Sequence, residues 1–202
     1  MQNSTRLPLS WATCAIILCS WLWLPGLASA SEVLAAKVVK QDDSYQLYLK
    51  MRIDAPYEFV YESLTDYANI RTLSQSIVES IVLEFKPPRY RIKLVSEGCV
   101  WFICRTVTQV QDVHEIGNGQ IKIRVVPEQS DIRQSLQHWQ IEADKSSDAQ
   151  ARTVVSYRAT IEPDFWIPPL VGSWIFQERL LDEGQTILNS IEHNASDDES
   201  SD

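Results

Sequence analysis

Side chains able to do chemistry are sparse in this chain. It has three histidines, His114, His138 and His193. His193 stands in an acidic terminal stretch and His114 lies beside the turn signal Gly117-Asn118-Gly119. His138 alternates out of phase with Trp139 and Ile141, so the pattern puts all three imidazoles at a surface or an edge rather than in a catalytic pocket. No HExxH, Gly-rich phosphate loop, serine elbow or CxxC occurs. Cys99 and Cys104 enclose four apolar residues, Val100-Trp101-Phe102-Ile103, a poor zinc spacing with no second ligand pair, so neither metal nor cofactor is expected. The charges on strand-like segments, Arg105, Arg124 and Arg158 with Glu79, Glu97 and Glu142, read as the solvated face of a sheet. Arg105 has a second reading: turned inward beside Gln109, it would hold a carboxylate or a quinone oxygen. With no nucleophile and base in view, binding without catalysis is the better expectation.

The elements that would position a binding site are more legible. Tyr45, Leu47, Leu49, Met51 and Ile53 alternate with Gln46, Tyr48, Lys50 and Arg52, the mark of a half-buried strand hairpinned to the run at 33–39. Asp54 is placed to cap a short helix with Pro56 in its first turn, followed by a second short helix ending near Leu73. Residues 77–161 read as a meander of antiparallel strands joined by short turns, which a parallel sheet cannot use. After Pro168-Pro169, apolar residues at spacings of three, four and seven (Leu170, Trp174, Leu181, Leu188, Ile191) predict a helix over about 170–192. One long helix must therefore lie across one curved sheet. Trp139, Ile141, Val155, Tyr157, Trp174 and Leu181 fall on the facing surfaces, where they either line a cavity or fill a core, with Gly184 allowing close approach.

Length and composition set the outer bounds. Residues 1–30 carry Arg6, an apolar run and Ala28-Ser29-Ala30, the pattern of a cleaved signal peptide, so a periplasmic or secreted location is expected. The domain then spans 31–192, and 193–202 reads as a disordered acidic tail. The net charge of −9 argues against nucleic acid and against electrostatic attraction to anionic lipid. In an oxidising compartment Cys99 and Cys104 are most simply a disulfide, which requires the chain to turn between them. The aromatic residues Trp101 and Phe102 between them, with Trp166 before the final helix, read either as a plug under the helix or as a gate that touches a membrane transiently.

The segment IDAPYEFVYESLTDY at 53–67 resembles the first strand and helix of the SRPBCC, or START-like, superfamily. EGCVWFICRTV at 97–107, VVPEQSD at 125–131 and EPDFWIPPLVG at 162–172 extend the resemblance to exported bacterial members, and it is more distantly similar to coenzyme-Q-binding START-like and polyketide cyclase-like domains. Arg71-Thr72-Leu73-Ser74 departs from the family pattern, so the cavity rim near the second helix is expected to differ. The resemblance implies an α+β helix-grip (Bet v 1-like) fold, with a curved antiparallel sheet of about six to seven strands gripping a long C-terminal helix and two short helices after the first long strand. It implies fold better than function. The functional expectation is a monomeric, non-enzymatic binding or transfer protein for a hydrophobic small molecule, such as a lipid or isoprenoid quinone. A cyclase- or dehydratase-like enzyme and an envelope protein-interaction module are the alternatives.

Overall fold

The computed structural model describes residues 31–100, 103–146, 151–167 and 171–199. Eight strands form one antiparallel sheet: β1 (Glu32–Gln41), β2 (Ser44–Ile53), β3 (Ile77–Lys86), β4 (Arg89–Val100), β5 (Ile103–Gly117), β6 (Gln120–Val125), β7 (Ile132–Ala143) and β8 (Thr153–Pro163). Their spatial order is β1-β2-β8-β7-β6-β5-β4-β3, so the chain meanders from β3 to β8 and closes by laying β8 against β2. That is more strands than the expected six or seven. A short helix α1 (Tyr57–Thr65) and a single 3-10 turn (Ile70–Thr72) follow β2, and α2 (Val171–Glu199) crosses the inner face.

Alternation decides which face is inner. Tyr45, Leu47, Leu49, Met51 and Ile53 are all buried, and their even-numbered neighbours are not. Opposite them α2 buries Leu188, Ile191 and Ala195. At Gly184 helix and sheet come close, because a Cβ there would stand 2.9 Å from Leu49 Cδ2. The helix outruns the expected end near residue 192. His193 stands 3.7 Å from Asp197, Ser196 Oγ donates to the Glu192 carbonyl at 3.1 Å, and Ala195 is in the core, so the segment read as a disordered tail is helical as far as Glu199. Asp54 does not cap α1, whose N-cap position is Pro56; its amide instead donates to Glu192 Oε2 at 3.0 Å, tying the end of β2 to α2.

The motif at 125–131 acts as a staple. Asp131 Oδ2 accepts from the Thr108 amide at 2.7 Å, and Ser130 Oγ accepts from the Val110 amide at 2.9 Å, which fixes the bend between β6 and β7 against β5. A second anchor holds α1. Tyr61 and Tyr67 donate to the two oxygens of Glu115 at 3.2 and 2.9 Å. Burial first, then the Glu115 charge, pushes the Tyr61 phenol up to about 12. A raised phenol pKa favours the folded state fully below the ordinary value near 10, and that contribution is lost as pH rises through about 12. Glu115→Gln is therefore expected to lower the Tyr61 midpoint only partway, since burial remains, which an ultraviolet tyrosinate titration would read.

Candidate functional site

Between α2 and the inner face lie two neighbouring chambers. The inner one, about 190 Å³, has walls of Leu47, Ile92, Ile121, Ile123 and Ile161, closed on the helix side by Leu180, Gly184 and Ile187. The outer one, about 500 Å³, opens near the β4–β5 hairpin and is bounded by Cys99, Arg105, Phe165, Trp166, Phe176 and Arg179. Ser96, Gln109, Ile161, Leu180 and Glu183 border both, so the two lie side by side along the helix.

The polar groups in this apolar space are few and ordered. Gln109 and Gln111 on β5 and Gln137 on β7 project inward because they share parity with Val113 and Trp139. Tyr157 donates its hydroxyl to Gln137 Oε1 at 3.0 Å, and Gln137 Nε2 donates to Gln111 Oε1 at 3.3 Å and Ser135 Oγ at 3.2 Å. Burial pushes the Tyr157 phenol well above its ordinary range, so it stays a neutral donor. Tyr157 also stacks on Trp139 with ring centroids 4.1 Å apart. On the helix side stands Glu183, whose Oε1 is buried with no hydrogen-bond partner. Leaving such an atom unpaired costs about 1–3 kcal/mol, which is what a binding group held ready for a ligand looks like.

The expected site residues divide by position. Trp139 and Tyr157 line the inner chamber and Arg105 the outer one. Arg105 is exposed, with its guanidinium 5.0 Å from the Phe165 ring centroid, and it lines the outer chamber that Gln109 also borders. Ile141 and Val155 are fully packed core and face no chamber, and Leu181 packs against that core from the side. Trp174 is a correction: it is 63% exposed. Tyr45 contacts Ser173 and Phe176, which sets that face of the helix toward the sheet and turns Trp174 about one hundred degrees away. Trp166 borders the outer chamber yet remains 70% exposed.

Cys99 and Cys104 are bonded across the β4–β5 ladder, where they are direct partners, so the chain turns between them as the bridge requires. Trp101 and Phe102, the remainder of the expected gate, lie outside the described residues, as do the expected signal peptide at 1–30 and the double proline Pro168-Pro169. Glu183 was absent from the sequence reading. Its signal was present all the same, a carboxylate spaced three after Leu180 and four before Ile187 on an apolar stripe.

No family profile and no curated protein matches the chain. Solved structures do. A Thermus thermophilus protein aligns with a TM-score of 0.58 at 16% identity, covering 74% of this chain and 96% of its own. A START superfamily protein from Mycobacterium smegmatis gives 0.58 at 13%, covering 75% and 97%. The Zhui aromatase/cyclase from a Streptomyces species gives 0.57 at 14%, covering 76% and 94%. The fold is the START-like helix grip. Among the described residues no helix is long and apolar enough to cross a membrane, and no group of three or more His, Cys, Asp or Glu is placed to hold a metal.

Proposed function

We propose that this protein binds and carries a hydrophobic molecule in the passage between the sheet and α2, without transforming it. One observation supports this most: two neighbouring, largely apolar chambers with the unpaired Glu183 oxygen on a residue that borders both. The ligand is a largely apolar body with one hydrogen-bond donor, a hydroxyl or an amine, directed at Glu183. Its body lies against Ile121, Ile123 and the Trp139–Tyr157 stack. The START-like fold is compatible with that role, and a START superfamily protein and an aromatase/cyclase have a similar fold.

The enzyme reading is weaker on chemistry. The described lining offers Glu183 and tyrosines in the inner chamber and Glu97, Asp182, Arg105 and Arg179 around the outer one, with no histidine or free thiol to complete an acid and base pair. We place the carrier in the periplasm or outside the cell, as a monomer that meets membranes transiently, on the basis of the leader-like 1–30 segment and the disulfide. Trp166, exposed at the chamber mouth, is the residue suited to that contact. The test is uptake of N-phenyl-naphthylamine, an apolar dye with one N–H. Fluorescence should rise on mixing and fall when a long-chain alcohol is added. Absence of both changes would contradict the reading. In the same assay Trp166→Ser is expected to slow delivery from liposomes to the protein with little change in equilibrium affinity.

A further inference from the structure

The outer face of the sheet carries a feature that the chambers do not explain. One row of residues, each the direct partner of the next, crosses all eight strands. Lys37 on β1 pairs with Tyr48, Tyr48 with Arg158 and Arg158 with His138. His138 pairs in turn with Lys122, Lys122 with His114, His114 with Arg89, and Arg89 with Lys86 on β3. Five fixed cations therefore stand in one line with no Asp or Glu among them, in a chain of 27 acidic and 18 basic residues.

An ordinary solvated face would mix the signs, and three neighbouring cations here do so, although Lys50 and Arg124 on the same face make no ion pair among the described residues. Arg91 holds Asp112 at 2.7 Å, Lys93 holds Glu79 at 3.1 Å, and Arg52 holds Asp144 at 2.7 Å. In the row itself only Lys86 is paired, with Glu84 at 3.0 Å. Lys37, Arg158, Lys122 and Arg89 are exposed and make no ion pair among the described residues. The row's field is felt within it: burial first, then Lys122 and Arg158, hold the His138 imidazole below its usual range. Its Nε2 is buried without a partner.

We infer that this row is a docking track for a linear acidic polysaccharide whose carboxylates are separated by neutral sugar units. The unpaired cations fall on every second strand in the order β1, β8, β6, β4, which puts them about 10 Å apart, in a line about 29 Å long. Tyr48, which carries Arg158 over its ring at 5.1 Å, and His138 and His114 stand between them with hydroxyl and imidazole groups. A single file on the outer side of a curved sheet suits a flexible chain better than a flat bilayer, which would touch only the crest. Nucleic acid, with a charge about every 3.4 Å of each strand, is too dense for so sparse a track.

The inference is independent of the chambers, and its test uses the full chain at low and moderate salt. Fluorescently labelled hyaluronan oligosaccharide, with one carboxylate per disaccharide, is the probe; a thymidine oligonucleotide and phosphatidylglycerol vesicles are the competing arms. Hyaluronan is expected to bind more tightly than either, with affinity falling as salt rises. Lys37→Gln, Arg158→Gln, Lys122→Gln and Arg89→Gln should each weaken it about threefold and flatten the salt dependence, whereas Arg124→Gln should leave it unchanged. Dye uptake by the chambers should be the same in all five variants. No hyaluronan binding at low salt, tighter binding of vesicles or oligonucleotide, or equal losses from Arg124→Gln and the row variants would each overturn the inference.

Discussion

Replacing Glu183 by leucine is expected to make the protein more stable and less able to bind. The unpaired carboxylate oxygen is a cost in the folded state, and leucine removes it while adding apolar contact with Leu180 and Ile187, so stability should rise by about 1–3 kcal/mol. The same change deletes the acceptor for the ligand's donor. Loss of one hydrogen bond to a charged group, about 1.5 kcal/mol, corresponds to roughly tenfold weaker dye binding. Urea denaturation and dye titration on one preparation read the two effects together. Opposite signs are the signature of a residue kept for binding. A variant that loses both stability and binding would show that Glu183 holds the fold, and one that binds as before would remove the polar-head part of the account.

The second large effect separates what is filled from what is hollow. Leu188 is fully buried where α2 meets the sheet, whereas Leu180 borders both chambers on the same helix. Leu188→Ala should cost about 2–5 kcal/mol, because its methyl groups leave a void among packed neighbours. Leu180→Ala should cost far less, since its side chain already faces open space, but it should widen the passage and admit bulkier dyes. Equal losses at the two positions would mean that the chambers collapse in solution.

Much of this architecture was legible from two periods. The alternation from Tyr45 to Ile53 marked β2 and its inner face, and the spacing of Leu181, Leu188 and Ile191 marked α2. Trp174 was misplaced because a wide apolar stripe does not say which edge of it meets the sheet; the Tyr45 contacts with Ser173 and Phe176 decide that, and they are tertiary. The end of α2 was misplaced for a related reason. Composition around 193–199 argues for disorder, but burial of Ala195 against the core outweighs the poor local propensity.

Site residues were harder to read than elements. Trp139, Ile141, Val155 and Tyr157 share a face, yet two border a chamber and two are packed solid, a difference that residue type and alternation do not encode. Gly184 brings α2 down onto Leu49, and the space opens to one side of that contact. Glu183 and the glutamines were passed over because polar residues on an apolar face look like imperfections in a pattern. Their hydrogen-bond accounting gives them meaning: Gln137 and Tyr157 satisfy one another, and Glu183 Oε1 is left without a partner. The cationic row was likewise invisible, since Lys37, Arg158, Lys122 and Arg89 are scattered along the chain and come into line only through strand register.

The central claim is that the passage under α2 holds a hydrophobic molecule in its native setting. Native mass spectrometry of the protein purified from its own source without detergent tests it most directly, with solvent extraction to identify what is released. The account predicts a bound species of one apolar compound bearing a hydroxyl or amine, present in the parent protein and depleted in Glu183→Leu. A parent protein that carries nothing across mild ionisation conditions, and yields no compound on extraction, would contradict it.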